Sequence, residues 1–216
     1  MIRKFNSIHM IRLLLIVIAL GATGQFALSQ KLGFGIKGGL NFANVTNAES
    51  INSSSHTGFM AGVFLAPPSS GVFGFRSELM FSRQGFDFET NTNTGSVTLD
   101  YILFPQLSTI NIGKVASILI GFQMAYLLTA KEKTDDTSGG NPAADIMEYY
   151  NRFDYGAAGG VEFFPYKGLL VGARMNISFG KLMKTPDASN PGTPASMIPE
   201  VDLKNNVVQV YLGYRF

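Results

Sequence analysis

Over the last twelve residues Val208, Val210, Leu212, Tyr214 and Phe216 alternate with Val207, Gln209, Tyr211, Gly213 and Arg215. A period of two over that length predicts a β-strand with one apolar face. The pattern recurs after each break in the chain. Over 32–43, Leu32, Phe34, Ile36, Leu40 and Phe42 oppose Gly33, Gly35, Lys37, Gly39 and Asn41. Over 57–66, Phe59, Ala61, Val63 and Leu65 share a side. Over 72–84, Phe73, Phe75, Leu79 and Phe81 face away from Arg76, Glu78, Ser82 and Gln84. Over 97–109, Leu99, Tyr101, Leu103 and Leu107 are set against Asp100 and Gln106, and Pro105, which has no N–H to donate, predicts a local irregularity. Ile118, Ile120, Phe122, Met124, Tyr126 and Leu128 form the apolar face of 117–130. Phe153, Tyr155, Val161 and Phe163 form that of 152–164, against Arg152, Asp154 and Glu162. Leu169, Val171, Met175, Ile177 and Phe179 form that of 169–179, against Arg174.

These segments predict an all-β protein of about eight strands, the smallest usual membrane barrel. Long polar connections at 44–56, 87–96, 131–151 and 180–204 alternate with short ones at 67–71, 111–116 and 165–168. That asymmetry predicts an eight-stranded antiparallel up-and-down transmembrane β-barrel with short periplasmic turns and long extracellular loops.

Volume decides which face meets lipid. The apolar faces carry about 35 side chains of Val size or larger, whereas the interior of an eight-stranded barrel is filled by roughly a dozen. They cannot all point inward, so a soluble barrel with an apolar interior is excluded. A periplasmic β-sandwich could bury that many and remains the alternative. Glycine and alanine dominate the opposite face and suit a narrow lumen. Phe42, Phe81, Tyr101, Tyr126 and Phe153 towards the loops, and Phe73, Phe163, Tyr166, Tyr214 and Phe216 towards the turns, are placed as aromatic girdles would be.

Residues 1–29 read as a signal peptide that is cleaved after export across the inner membrane: Arg3, Lys4 and Arg12 flank or precede the apolar run 13–20, and Ala27-Leu28-Ser29 offers small residues for cleavage. The run is short of the roughly 20 residues of a spanning helix. The mature domain is then 30–216. Removing those three cations from 17 leaves 14 basic against 15 acidic residues, so no charge excess favours a nucleic-acid partner. With no Cys there is no disulfide framework and no thiolate metal site.

Several stretches carry a family likeness: Gly35-Ile36-Lys37-Gly38-Gly39-Leu40-Asn41, Gly58-Phe59-Met60-Ala61-Gly62-Val63-Phe64, Glu78-Leu79-Met80-Phe81-Ser82-Arg83-Gln84-Gly85, Tyr126-Leu127-Leu128-Thr129-Ala130-Lys131 and Gly213-Tyr214-Arg215-Phe216. Together they resemble the PorT-like outer-membrane β-barrel family across the mature chain. Val210, Leu212, Tyr214 and Phe216 resemble the terminal signal by which such barrels reach the barrel-assembly machinery. The resemblance implies an integral protein of the cell outer membrane, surrounded by its lipid. One founding member is tied to protein secretion and surface assembly, and most members have no assigned activity.

Candidate chemistry is sparse. Gly33, Gly35 and Gly38 match G-x-G-x-x-G, but a dinucleotide site needs a helix after the glycines, and a polar stretch follows here. The glycines read better as room on a crowded inner face. Lys37, Arg76, Arg152, Arg174 and Arg215 with Glu78, Asp100, Asp154 and Glu162 fall on the predicted lumen face, where near-balanced signs imply mutual ion pairs. His56, after Ser53, Ser54 and Ser55, reads as a solvated loop residue. Asp135 and Asp136 lack the spacing of a calcium loop, and the prolines of 181–199 give no binding motif. No catalytic set, cofactor site or metal site is expected. The chain reads as a non-enzymatic barrel with a plugged lumen that contacts another envelope or surface protein through its loops or periplasmic rim. A narrow solute pore is the first alternative and a rim-sited lipid-modifying enzyme the second.

Overall fold

The computed structural model describes residues 33–46, 52–67, 71–89, 94–134, 144–184 and 204–216. Residues 1–29, read above as a signal peptide, Asp135, Asp136, most of the proline-bearing stretch and the side chains of Ser53 and Ser54 lie outside them. Strands β1 (Gly33–Thr46), β2 (Asn52–Ala66), β3 (Phe73–Glu89), β4 (Thr94–Ile112) and β5 (Ala116–Thr134) are followed by a two-residue β6 (Ala144–Asp145) and a short 3-10 turn (Met147–Tyr149). Strands β7 (Phe153–Tyr166), β8 (Leu169–Ser178) and β9 (Lys204–Arg215) complete the sheet. Each long strand pairs antiparallel with its neighbours, β9 returns to β1, and β4–β5 joins the remaining edges. The result is a closed eight-stranded antiparallel β-barrel in which β6 only extends the edge of β5 at Lys131 and Glu132. Closure leaves no open sheet edge in the ring, the condition for strands to span lipid.

Alternation sets the two faces on seven of the eight barrel strands as the sequence predicts. Ile36, Leu40, Leu79, Ile120, Phe122, Met175 and Leu212 stand exposed on the outside, while Lys37, Asn41, Glu78, Gln123, Arg174 and Gln209 are buried inside. Strand β4 is the exception and corrects the reading. Leu99, Tyr101, Leu103 and Leu107 point inward and are at most 1% exposed, and Asp100 and Gln106 face outward. Both faces of this strand are apolar, because Ile102, Phe104 and Ile110 occupy the other one, so periodicity could not choose between them. Tyr101 is therefore an interior residue and not part of a girdle. Pro105 does interrupt a ladder: β3–β4 pairing passes from Ser77–Gln106 to Met80–Leu103 in unchanged register with a gap between.

The strands also run further than predicted. β3, β4 and β5 have 17, 19 and 19 residues, where about 9–11 cross a bilayer. Much of 44–56 and 87–96, expected as loops, is paired strand. The outer apolar band ends at the register row Phe81, Ile102 and Tyr126, and Arg83 and Asp100 pair in the next row. Above that level the strands form arms held by backbone hydrogen bonds, which need no apolar outer face.

Turns at the other end are tight. Gly113 (φ 61°) and Gly168 (φ 82°) take the left-handed conformation that two of these reversals require. Gly35 has a different reason to lack a side chain, since a Cβ there would lie 2.1 Å from the Phe64 ring. β1 continues as strand to Thr46 with no helix after the glycines, so the dinucleotide motif is excluded by its context.

Candidate functional site

The interior is built in layers along the barrel axis. Nearest the turns, Arg76 of β3 donates Nη1–H to Glu162 Oε1 of β7 at 2.5 Å, and the Tyr211 hydroxyl of β9 donates to the same oxygen at 2.9 Å. One level further, Glu78 of β3 receives Lys37 Nζ from β1 at 2.7 Å on Oε1 and Arg174 Nη1 from β8 at 2.7 Å on Oε2. Arg76 Nη1 stands 3.9 Å from Glu78 and links the two levels. The Lys37 ammonium lies 4.2 Å from the centroid of the Tyr211 ring, and the Arg76 guanidinium 4.7 Å from that of Phe64. The Tyr211 ring fits because Gly172 beside it has no side chain; a Cβ there would lie 2.6 Å from the ring.

Neutral groups carry the network towards the loops. Arg174 donates Nε–H and Nη2–H to Gln209 Oε1 at 3.0 and 2.7 Å, and Gln209 Nε2 donates to Asn41 Oδ1 at 2.9 Å. Asn41 Nδ2 reaches Ser82 Oγ at 2.9 Å, Gln84 Nε2 reaches the same hydroxyl, and Asn205 Nδ2 meets Gln84 Oε1 at 2.5 Å. Five strands that are not all neighbours, β1, β3, β7, β8 and β9, are thereby tied across the lumen. An interior charge removed from water is tolerated only when paired and hydrogen-bonded, and Lys37, Glu78 and Arg174 meet that condition with side chains at 0% exposure.

Beyond this polar layer the interior turns apolar. Val45, Phe86, Phe88, Val97, Leu99, Tyr101, Leu127 and Val207 are buried at the loop end. Ile146, Tyr150 and Leu182 join the same cluster. Main-chain bonds from Ile146 N–H to Ala130 O, from Asn151 N–H to Leu182 O and from Lys184 N–H to Tyr149 O lay the 144–151 segment against β5 and 181–184.

Of the nine charges expected in the lumen, Lys37, Arg76, Glu78, Glu162 and Arg174 come together, and four are placed elsewhere. Asp100 is on the outer face, bound by Arg83 through Nε–Oδ1 at 2.7 Å and Nη2–Oδ2 at 3.0 Å, because β4 is turned the other way. Asp154 is inside but takes the Ser178 hydroxyl at 2.5 Å and pairs with no cation among the described residues. Arg152 is exposed at the loop end of β7, just before the strand begins. Arg215 is exposed at the turn-end mouth. Sequence reasoning missed Asn41, Gln209, Asn205 and Tyr211, although all four alternate in phase with Lys37 or Arg215. Their neutrality hid them.

The terminal motif is placed as expected in phase: Val210, Leu212, Tyr214 and Phe216 all face outward. Phe216 N–H donates to Phe34 O at 2.9 Å and its ring stacks on Phe34 with centroids 5.8 Å apart, extending the β9–β1 seam that closes the barrel. His56 is not in a loop. It lies in β2 with Nδ1 2.9 Å from Asp87 Oδ1, both side chains partly exposed.

The family model for the outer membrane protein beta-barrel domain matches residues 25–184, well over half of the chain. The chain belongs to this family. It is an outer-membrane β-barrel, and its apolar outer band meets lipid. No curated protein matches its sequence. Among solved structures, Neisserial surface protein A resembles the barrel with a TM-score of 0.52 at 10% identity, covering 85% of this chain and 97% of that one. The attachment invasion locus protein of Yersinia pestis, solved in complex with the heparin analogue sucrose octasulfate, gives 0.49 at 17% identity over 86% and 99%. The outer membrane protein OprG from Pseudomonas aeruginosa gives 0.42 at 11% over 87% and 97%. At 10% identity the likeness to Neisserial surface protein A is one of fold.

Proposed function

We propose that this outer-membrane barrel is non-enzymatic, that its lumen is plugged by its own side chains, and that it works by presenting its outer arms or turn-end rim to another component of the cell envelope or surface. The observation that carries this reading is the bonded crossing of the lumen by Lys37, Glu78, Arg174, Gln209 and Asn41, capped towards the loops by Phe86, Val97, Leu99 and Tyr150. A conducting path would have to part both layers. The arms support the second half of the proposal, because strands that outrun the bilayer put ordered, polar surface beyond the lipid.

The quoted motifs favour the PorT-like branch of the family and with it a role in secretion or surface assembly. Residues 1–29 then serve as a cleaved signal peptide, and Val210, Leu212, Tyr214 and Phe216 as the segment read by the barrel-assembly machinery. A narrow solute pore is the competing reading, since a polar lumen is also what a pore requires.

A photo-crosslinking amino acid placed at Lys133 on the outer arm, or at Lys114 in the turn between β4 and β5, tests the contact. Both positions are exposed. In intact cells one of them is expected to give a discrete adduct with a second envelope protein. Adducts from neither position, in a barrel that inserts normally, would contradict the contact reading.

A further inference from the structure

The turn-end mouth of the lumen is a recess lined by Ala66, Gly74, Arg76, Thr109, Ser117 and Arg215, with Pro67, Phe75, Asn111 and Phe164 completing it. It holds about 300 Å³ of non-protein space, part of it continuous with solvent. Two of the lining residues are cations and none is a carboxylate. Arg76 forms the inner wall. It is 4% exposed, and while its Nη1 is committed to Glu162, its Nε–H is buried with no acceptor among the described residues.

Arg215 of β9 supplies a second guanidinium to the lining. It is held over Gly33, where an added Cβ would lie 2.9 Å from its Nε and 3.0 Å from its Nη2. Arg215 joins none of the described ion pairs. Thr109, 6% exposed, adds a hydroxyl. Ser117 has already given its proton to Asn111 Oδ1, so it is not a donor here.

Charge in the described interior network leans the same way. Lys37, Arg76 and Arg174 face only Glu78 and Glu162. Glu162 is the nearest acid. Its Oε1 is occupied by Arg76 and Tyr211, its Oε2 is buried without a hydrogen-bond partner among the described residues, and the residue is 0% exposed and does not line the recess. A buried guanidinium N–H without an acceptor is costly, and an oxygen anion entering from the turn end would satisfy it while bridging to Arg215.

We propose that this mouth, which faces the periplasm in barrels of this kind, is a binding site for a small oxyanion, a phosphate or carboxylate group, held between Arg76 Nε–H and the Arg215 guanidinium with Thr109 as a third donor. The site is separate from the plug: it ends at the Arg76–Glu162 pair and needs no passage beyond it.

The test is titration of the purified, folded barrel in uncharged detergent with inorganic phosphate and, separately, with acetate, followed calorimetrically and by the NMR signals of arginine Nε–H groups. Saturable binding of either anion is expected, shifting the Arg76 signal and weakening at least tenfold in Arg215→Gln. Thr109→Val, which keeps the side-chain shape but removes the third donor, is expected to weaken it by a smaller factor, and both variants keep the heat-modifiable folded form. If only acetate binds in this Arg215-dependent way, the site takes carboxylates; if only phosphate does, it takes phosphates. Failure of both anions to bind saturably, or binding unchanged in Arg215→Gln, overturns the proposal and leaves the plugged-lumen reading untouched.

Discussion

Replacing Glu78 with Leu is expected to be among the most damaging changes available inside the barrel. Its carboxylate takes Lys37 on one oxygen and Arg174 on the other, with Arg76 3.9 Å away. Removing it strands at least two cations in a lumen where their side chains have no exposure. Breaking one buried pair from one side typically costs about 3–5 kcal/mol, and two pairs end here. The expected readout is a marked fall in the urea midpoint and in the temperature at which the folded band is lost on unheated gels. Glu78→Gln keeps an oxygen to accept one of the two donors and is expected to fall between Leu and the unmodified protein. Adding Lys37→Met to Glu78→Leu should recover part of the loss, because one stranded cation goes with it. Equal stability of Glu78→Leu and the unmodified barrel would mean that the network contributes nothing to holding the strands together.

Leu212→Arg tests the outer face. Leu212 is 59% exposed, pairs with Gly38 on β1 and Val171 on β8, and sits midway along the outward row from Val208 to Phe216. An arginine near the bilayer midplane on a lipid-facing position costs about 2–4 kcal/mol. Reduced insertion and a lower urea midpoint in lipid vesicles are expected. The paired control is Lys133→Leu: Lys133 lies beyond the outer end of the apolar band, so that change should leave insertion unaltered. If Leu212→Arg inserts and resists urea as the unmodified protein does, that row does not face lipid.

These two positions also mark where the sequence was legible. Leu212 could be placed because its strand has one apolar and one mixed face, so a period of two assigns inside and outside together. β4 could not be oriented in the same way. Leu99, Leu103 and Leu107 compete with Ile102, Phe104 and Ile110, and only pairing with β3 and β5, whose phases are clear, fixes the choice. That single inversion moved Asp100 outside and Tyr101 inside.

For Glu78 the sequence could give the face but not the partners. Its ligands come from β1 and β8, 41 and 96 residues away, and the contact runs across the lumen, which strand order alone does not specify. Asn41 and Gln209 carry no charge to mark them in the sequence, although in a narrow interior neutral amides can do the same bridging. The apolar layer near the loops was hidden because polar 87–96 looked like loop. Phe86 and Phe88 around Asp87 were the signal that could have found it, an alternation that continues the strand past the membrane. The ends of such arms leave little trace in composition, since their stability rests on backbone pairing.

The central claim is that the lumen is closed by its own side chains. Single-barrel conductance in planar bilayers tests it most directly. The account predicts that the unmodified, folded protein gives no stable open steps in molar salt. Glu78→Leu, if recovered folded, is expected to gain at most brief openings. Stable, ion-selective channels from the unmodified barrel would contradict it and put the solute-pore reading in its place.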